Sequence, residues 1–356
     1  MSYTVKNVGT RHPGCPYHSP HPESPRAMPA KSMRRVLRRG LQHAFVSAHD
    51  SSYPAHANRF TSLWHAFPQQ RVEPNRWIAE KLSTSQPFCV ARFGADEFEL
   101  TQDWRRRTTR SRLGHILEIL ASGDPFYTTT RARTRMKKRG LSPLTPGVQK
   151  RFYDLMVDSM HDIDLLGSWI VGETWFSQHL QDVSVCPIGE LEPYRSDTPW
   201  SAHLTGKRVL VVHPFAQSIT SQYTTHREKL FESAAVLPEF TLDTLIPPRA
   251  HFGEVMNANH WFQSLDELIK KTLDRTFDVA IIGAGPFGLP LASAIKTAGK
   301  QAIHLGGATQ LLFGIRGARW EGRPDTSALM SDYWARPLPE ETPPSAARKM
   351  SGESYW

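Results

Sequence analysis

From Pro87 onward the chain alternates short apolar, β-branched runs with longer stretches of helical periodicity. Strands of a parallel sheet are covered on both faces, so they read as continuous apolar runs, and their alternation with helices marks β/α units. The runs predict strands at Phe88–Arg92, Leu166–Val171, Arg208–His213, Thr241–Ile246, Asp278–Ile282 and Gln301–Leu305, with helices in the intervals. Ser264 and Glu267 have capping-box spacing before Leu268, Ile269 and Leu273, so a helix leads into the strand at Asp278. The fold class expected is α/β: a Rossmann-like, mainly parallel sheet flanked by helices, with disordered tails at both ends.

The pattern is different outside that region. Residues 1–60 are rich in Pro, His, Ser and Arg and have little apolar periodicity. Such a composition buries too little surface to offset ordering entropy, so the segment is expected to be mostly disordered. Within it, Val36, Leu37, Leu41 and Phe45 would line one face of a short helix whose other face is arginine, suited to peripheral contact with an anionic membrane. Gly40 interrupts that segment, and a solvated or packed linker helix is the plainer reading. His12, Cys15, His18 and His21 are spaced like metal ligands, but the prolines at 13, 16, 20 and 22 favour an extended segment. After Pro337 the chain turns polar and proline-rich. The organisation expected is therefore a basic segment over 1–60, one folded domain over 61–336 and a flexible tail over 337–356.

Charge narrows the partners. Lys and Arg number 43 against 34 Asp and Glu, a formal net charge of +9, which favours anionic ligands without choosing among nucleic acid, lipid headgroups and phosphorylated substrates. The cations gather at Arg34–Arg39, at Arg105–Arg112 and at Arg131–Arg139. No RNA- or DNA-binding motif accompanies them, so nucleic acid is not expected as a partner. Three widely separated cysteines, Cys15, Cys89 and Cys186, fit a reducing compartment. Residues 1–12 lack a basic stretch followed by an apolar one, and the longest uncharged run, Val279–Ile295, is shorter than the roughly 20 residues that span a bilayer. A cytoplasmic protein is expected, at most peripheral at the inner face of the membrane.

The chemistry-bearing residues fall at strand ends. Gly283-Ala-Gly285-Pro286-Phe-Gly288 follows an apolar strand and opens a helix, where glycines let backbone approach a ligand and helix N–H groups hold a diphosphate. A dinucleotide fold would need an acidic residue about 20 positions further on to bind the ribose. From Val279 to Trp320 there is no Asp or Glu, so neither NAD nor flavin is expected. The next strand ends in His304-Leu-Gly306-Gly307, with Arg316 and Arg319 following. Two glycine-rich strand ends flanked by cations make a diphosphate cradle. The first strand ends in Arg92-Phe-Gly94-Ala-Asp96-Glu97. Asp96 and Glu97 could ligate Mg or Mn, Glu97 could be the base for an acceptor hydroxyl, or both could simply favour a helix's first turn. His213 also ends a strand, as a base, a phosphate ligand or a hydrogen-bonded loop histidine.

Taken together, Arg92-Phe-Gly-x-x-Glu97, Val211-Val-His-Pro-Phe-x-x-Ser218, Gly285-Pro-Phe-Gly-x-Pro-Leu-Ala292 and Gly299-Lys-Gln-Ala-Ile-His-Leu-Gly306 resemble the GT-D type glycosyltransferases, bacterial proteins long catalogued as a domain of unknown function. The resemblance covers about residues 85–320, and Gly307–Trp320 looks like a divergent branch found near polysaccharide genes. It implies a nucleotide-sugar donor and glycosyl transfer to a saccharide or lipid-linked acceptor. In the resembled family the first motif carries an Asp-x-Glu pair associated with metal and donor, and Glu97 matches its Glu. The chain departs from the family pattern at Ala95, which occupies a motif Asp while Asp96 is displaced by one residue, and after Leu305, where Gly-Gly-Ala-Thr-Gln replaces an Asp-containing segment.

Overall fold

The structure, a computed structural model, describes residues 63–109, 127–170, 172–248 and 258–342. The expected disordered segment, its arginine-faced helix, the His12–His21 cluster, Arg110, Arg112 and the tail from 343 onward lie outside the described residues.

Seven strands form one sheet: β1 Phe88–Ala91, β2 Leu165–Ser168, β3 Ser184–Pro187, β4 Arg208–Val212, β5 Thr241–Leu245, β6 Val279–Ile282 and β7 Gln301–His304. Their order is β3-β2-β1-β7-β6-β4-β5, and every pairing is parallel. Six are the strands that the apolar runs predict. The seventh, β3, is a short edge strand in which only Val185 and Cys186 are fully covered, and Pro187 has no N–H to extend it. Its apolar run is too brief to register as a strand in sequence.

The helices are α1 Leu63–Ala66, α2 Pro74–Leu82, α3 Ala95–Thr109, α4 Tyr127–Lys138, α5 Pro146–Met160, α6 Ala216–His226, α7 Ala258–Leu273, α8 Gly288–Thr297 and α9 Thr309–Leu312. Helix α7 is already formed at Ala258, more than a turn before Ser264, because Trp261, Phe262, Leu265 and Leu268 carry one apolar stripe past the capping-box pair.

Two apolar layers sandwich the sheet. Phe98 and Leu100 of α3, Phe152 and Met156 of α5, Trp261 of α7 and Leu291 and Ile295 of α8 belong to one layer. Ile78 and Leu82 of α2, Ile219 and Tyr223 of α6 and Leu311 and Leu312 of α9 belong to the other. Along the adjacent strands β1, β7, β6 and β4 the chain therefore leaves toward alternate faces, into α3, α9, α8 and α6. Connections that diverge in this way open crevices at the carboxyl ends of the strands, where ligands of open α/β sheets bind.

The stretch after Pro337, expected as a loose tail, docks at least through Thr342. Glu341 is buried, and its carboxylate accepts hydrogen bonds from the backbone N–H of Gln217 (2.7 Å) and Ser218 (3.2 Å) and from the Ser218 hydroxyl. An anion at the positive end of α6 satisfies N–H groups that its own helix cannot. No helix among the described residues is long and apolar enough to cross a membrane.

Candidate active site at the carboxyl edge of the sheet

Strand register brings the sequence-predicted residues to one level. Val90 lies opposite Ile303, Ile282 opposite His304, and Val212 opposite Ile282. Just past these pairs come Arg92, two residues after Val90, the His304–Gly306 turn, Gly283 and His213, so four neighbouring strands present them in a row. Adjacent strands lie about 4.8 Å apart, which makes the row roughly 15 Å long.

Within the row the glycines are where histidines and an arginine need room. A Cβ on Gly283 would collide with the His213 ring and stand 2.8 Å from the Gly306 carbonyl, and a Cβ on Gly288 would collide with the His304 ring. Gly285 and Gly306 have φ of +54° and +62°, left-handed backbone that other residues adopt only under strain. Gly285 is exposed at the crown of its turn, Pro286 and Gly288 are buried beneath it, and Gly307 is half-buried.

Both histidines are neutral. Burial pushes the His213 imidazole down to about 3. Its Nδ1 accepts the Phe215 N–H at 3.0 Å, which assigns the ring proton to Nε2. Burial, aided by the positive charge of Arg92, likewise pushes His304 down to about 3. Its Nδ1 lies 3.1 Å from the Ile282 carbonyl, so Nδ1 carries the proton and donates it. Thr309 Oγ1 donates to the same carbonyl at 3.2 Å, which pins the strand end that feeds the Gly283 turn. In this tautomer His213 offers a hydrogen-bond donor at Nε2 rather than the base considered from sequence.

Arg92 bridges the row to β2. Its side chain lies against Gly306, where a Cβ would stand 2.7 Å from Nη1, and its guanidinium carbon is 5.0 Å from the centre of the Trp169 ring. Trp169 follows β2, and its Nε1 donates to the Phe93 carbonyl at 3.0 Å. The loop carrying it is tied by Glu173. That fully buried carboxylate accepts the N–H groups of Trp169 (3.0 Å), Ile170 (2.9 Å) and Leu63 (3.1 Å) and the Ser168 hydroxyl. Burial raises the Glu173 carboxyl above its ordinary range.

Asp96 and Glu97 open α3 and are buried, but their oxygens face arginines. Arg135 reaches Asp96 at 3.0 Å, and Arg139 reaches both Asp96 and Glu97 at 3.0 Å. The Glu97 carboxylate also folds back over Gly94, where a Cβ would collide with it. No group of three or more His, Cys, Asp or Glu among the described residues is placed to hold a metal ion. Guanidinium groups hold both Asp96 oxygens and Oε1 of Glu97, so Mg or Mn at this pair would have to displace Arg135 or Arg139.

Arg316 lies beyond α9, its backbone N–H bonded to the Ala335 carbonyl at 2.7 Å. Its buried Nε has no hydrogen-bond partner among the described residues. Among the described residues no hydrogen bond or ion pair joins Arg316 to the row.

No protein-family model matches the chain, and no curated protein matches it significantly. Among solved structures it is similar to one described as "The highly conserved domain of unknown function 1792 has a distinct glycosyltransferase fold", at 14% identity and a TM-score of 0.34, covering 66% of this chain and 76% of the other. A TM-score of that size is partial overlap.

Two residues of the site are not legible in the sequence. The run Leu166-Gly-Ser-Trp-Ile-Val171 predicts a strand to its end, which hides Trp169 inside it. The strand stops at Ser168 because Glu173 takes the N–H groups that would extend the ladder and because its neighbour β3 ends in Pro187. Glu173 itself looks like an ordinary surface acid, and only its long-range bond to Leu63 reveals its role.

Proposed function

We propose that this chain is a glycosyltransferase that binds a nucleoside-diphosphate sugar across the carboxyl ends of β1, β7 and β6. It passes the sugar to a hydroxyl of a saccharide or lipid-linked acceptor, in the assembly of surface polysaccharide or glycoconjugate. The observation that carries the reading is the seat of Arg92 against Gly306, the turn that itself lies between Arg92 and the Gly283 turn of the next strand.

In such a transfer the acceptor oxygen bonds to the anomeric carbon, the bond from that carbon to the diphosphate breaks, and the acceptor proton passes to a base. Negative charge grows on the departing diphosphate, and preorganised donors lower the barrier most when they face that charge. Arg92, the backbone of Gly283–Gly288 and Gly306–Gly307, and the His213 Nε2–H are the donors assigned to it. Glu97 is the base assigned, with Asp96 holding Arg135 and Arg139 in place beside it. Arg316 is an outlying cation for the same anion. Peripheral contact of the basic segment around Arg34–Arg39 with an anionic membrane belongs to the same proposal.

A second reading, a donor-binding protein that does not transfer, is favoured by one observation: Arg139 and Arg135 already engage both carboxylates, and Ala95 stands where the resembled family carries Asp.

A thermal-shift screen against UDP, GDP, CMP and their sugars, with and without Mn or Mg, alongside NAD and NADP, tests the first step. Ligand at a hundredfold its dissociation constant stabilises the native state by about 2.7 kcal/mol. The reading expects a shift with one sugar nucleotide that is absent in Gly285→Val. Response only to a dinucleotide or to nucleic acid overturns it. Release of free nucleoside diphosphate in the presence of acceptor then separates transfer from binding alone.

A further inference from the structure

Trp169 is 37% exposed, and it is the large exposed aromatic among the described residues that stands at a strand end of the sheet. A tryptophan left in water without a role would be free to rotate and fold onto nearby apolar surface, yet this one is held at three points. Its indole N–H is bonded to the Phe93 carbonyl, its backbone N–H to Glu173, and Arg92 lies over its ring. The chain commits a fully buried carboxylate with four hydrogen-bond donors to holding the loop that presents it.

Its place decides what it meets. The indole is anchored to Phe93, one residue before Gly94, and the Glu97 carboxylate lies over Gly94. Arg92 connects the same ring to Gly306. Trp169 is therefore in contact with the group assigned to the diphosphate and tied, through Phe93, to the turn that leads to the carboxylate assigned as base. The ring between those two in a glycosyl transfer is a sugar. One face of a pyranose is lined with C–H groups that are apolar and weakly positive, and it matches the negative face of an indole.

We infer that Trp169 is a stacking platform for a pyranose ring, oriented so that a sugar hydroxyl or its anomeric carbon lies beside Glu97. The inference rests on the glycosyltransferase reading. The pyranose comes either from the donor or from the acceptor, and the chemistry of the platform is the same for both.

The test measures binding of UDP, GDP, UDP-glucose, GDP-mannose and the methyl glycosides of glucose and mannose to wild type, Trp169→Phe and Trp169→Ala by calorimetry. Melting temperature serves as the control for folding. The platform expects Trp169→Ala to weaken a sugar-bearing ligand at least about tenfold more than it weakens UDP or GDP, which lose only what the ring lends to Arg92, while Trp169→Phe, which keeps a ring against that guanidinium, retains most of the affinity. A loss confined to the sugar nucleotide assigns the donor's sugar, and a loss confined to a methyl glycoside assigns the acceptor's. Equal losses for nucleotide with and without sugar, or no loss in Trp169→Ala, overturn the platform while leaving the donor site standing. Failure of wild type to bind any of the nucleotides overturns the glycosyltransferase reading and the platform with it.

Discussion

A Cβ on Gly306 would stand 2.7 Å from Nη1 of Arg92 and 3.0 Å from its Cδ, so the arginine lies flat against the β7 turn. The contact joins two strand ends that are more than 200 residues apart in sequence. It makes the position of Arg92, the cation of the row, depend on the absence of a side chain on the neighbouring strand.

Gly306→Ala is therefore expected to act twice. The left-handed φ and the collision with Arg92 together cost about 1–3 kcal/mol, read as a lower melting temperature. Displacement of the guanidinium removes the sugar-nucleotide thermal shift. Arg92→Lys is expected to keep the melting temperature within a few degrees and still weaken the nucleotide, because an ammonium cannot present a planar fork to a diphosphate. A Gly306→Ala protein that binds nucleotide normally would separate Arg92 from the donor.

Two buried neutral histidines make the fold acid-sensitive. His213 and His304 titrate near 3 in the fold against an ordinary value of 6.5. The unfolded chain thus binds more protons than the native one between those values, so stability is full above about 6.5 and falls as pH drops toward 3. Denaturant unfolding between pH 7 and 5 is expected to show uptake approaching about two protons, one for each ring. His213→Asn and His304→Asn should each flatten that slope. An unchanged slope in both would show that the rings are not held neutral.

Glu173→Ala leaves three backbone N–H groups and the Ser168 hydroxyl without their acceptor. Each unsatisfied buried donor costs on the order of 1 kcal/mol or more, so a loss of about 3 kcal/mol or greater is expected by urea unfolding. Because the same loop presents Trp169, hydrogen exchange at Trp169 and Ile170 should rise well before the sheet opens.

Arg139→Ala removes the cation shared by Asp96 and Glu97 and leaves Glu97 without its described ion pair. A buried carboxylate so exposed to desolvation is expected to cost about 1–3 kcal/mol of stability. Glu97→Gln, which keeps the shape, should bind sugar nucleotide as wild type does and lose transfer. Transfer retained in Glu97→Gln would move the base elsewhere.

Glu341→Ala removes the cap from α6 and is expected to cost about 0.5–2 kcal/mol, seen in the melting temperature, with nucleotide binding unaffected.

The alternation of apolar runs determined the α/β class and six strands, because burial on both faces forces a central parallel strand to be continuously apolar whatever its neighbours are. It also placed Arg92, Gly283, Gly306 and His213 at strand ends, since each directly follows such a run. Strand order decided that those ends are adjacent, and no local pattern encodes which strands pair across more than a hundred residues. Tertiary contacts also decided the chemistry of the polar groups. Asp96 and Glu97 read as free acids until α4 and Arg139 arrive, Trp169 reads as a strand residue until Glu173 claims its N–H, and Glu341 reads as tail until it meets the end of α6. A side chain's residue type sets what it can donate or accept, but its partner, and therefore its charge state and role, comes from residues brought close only by the fold.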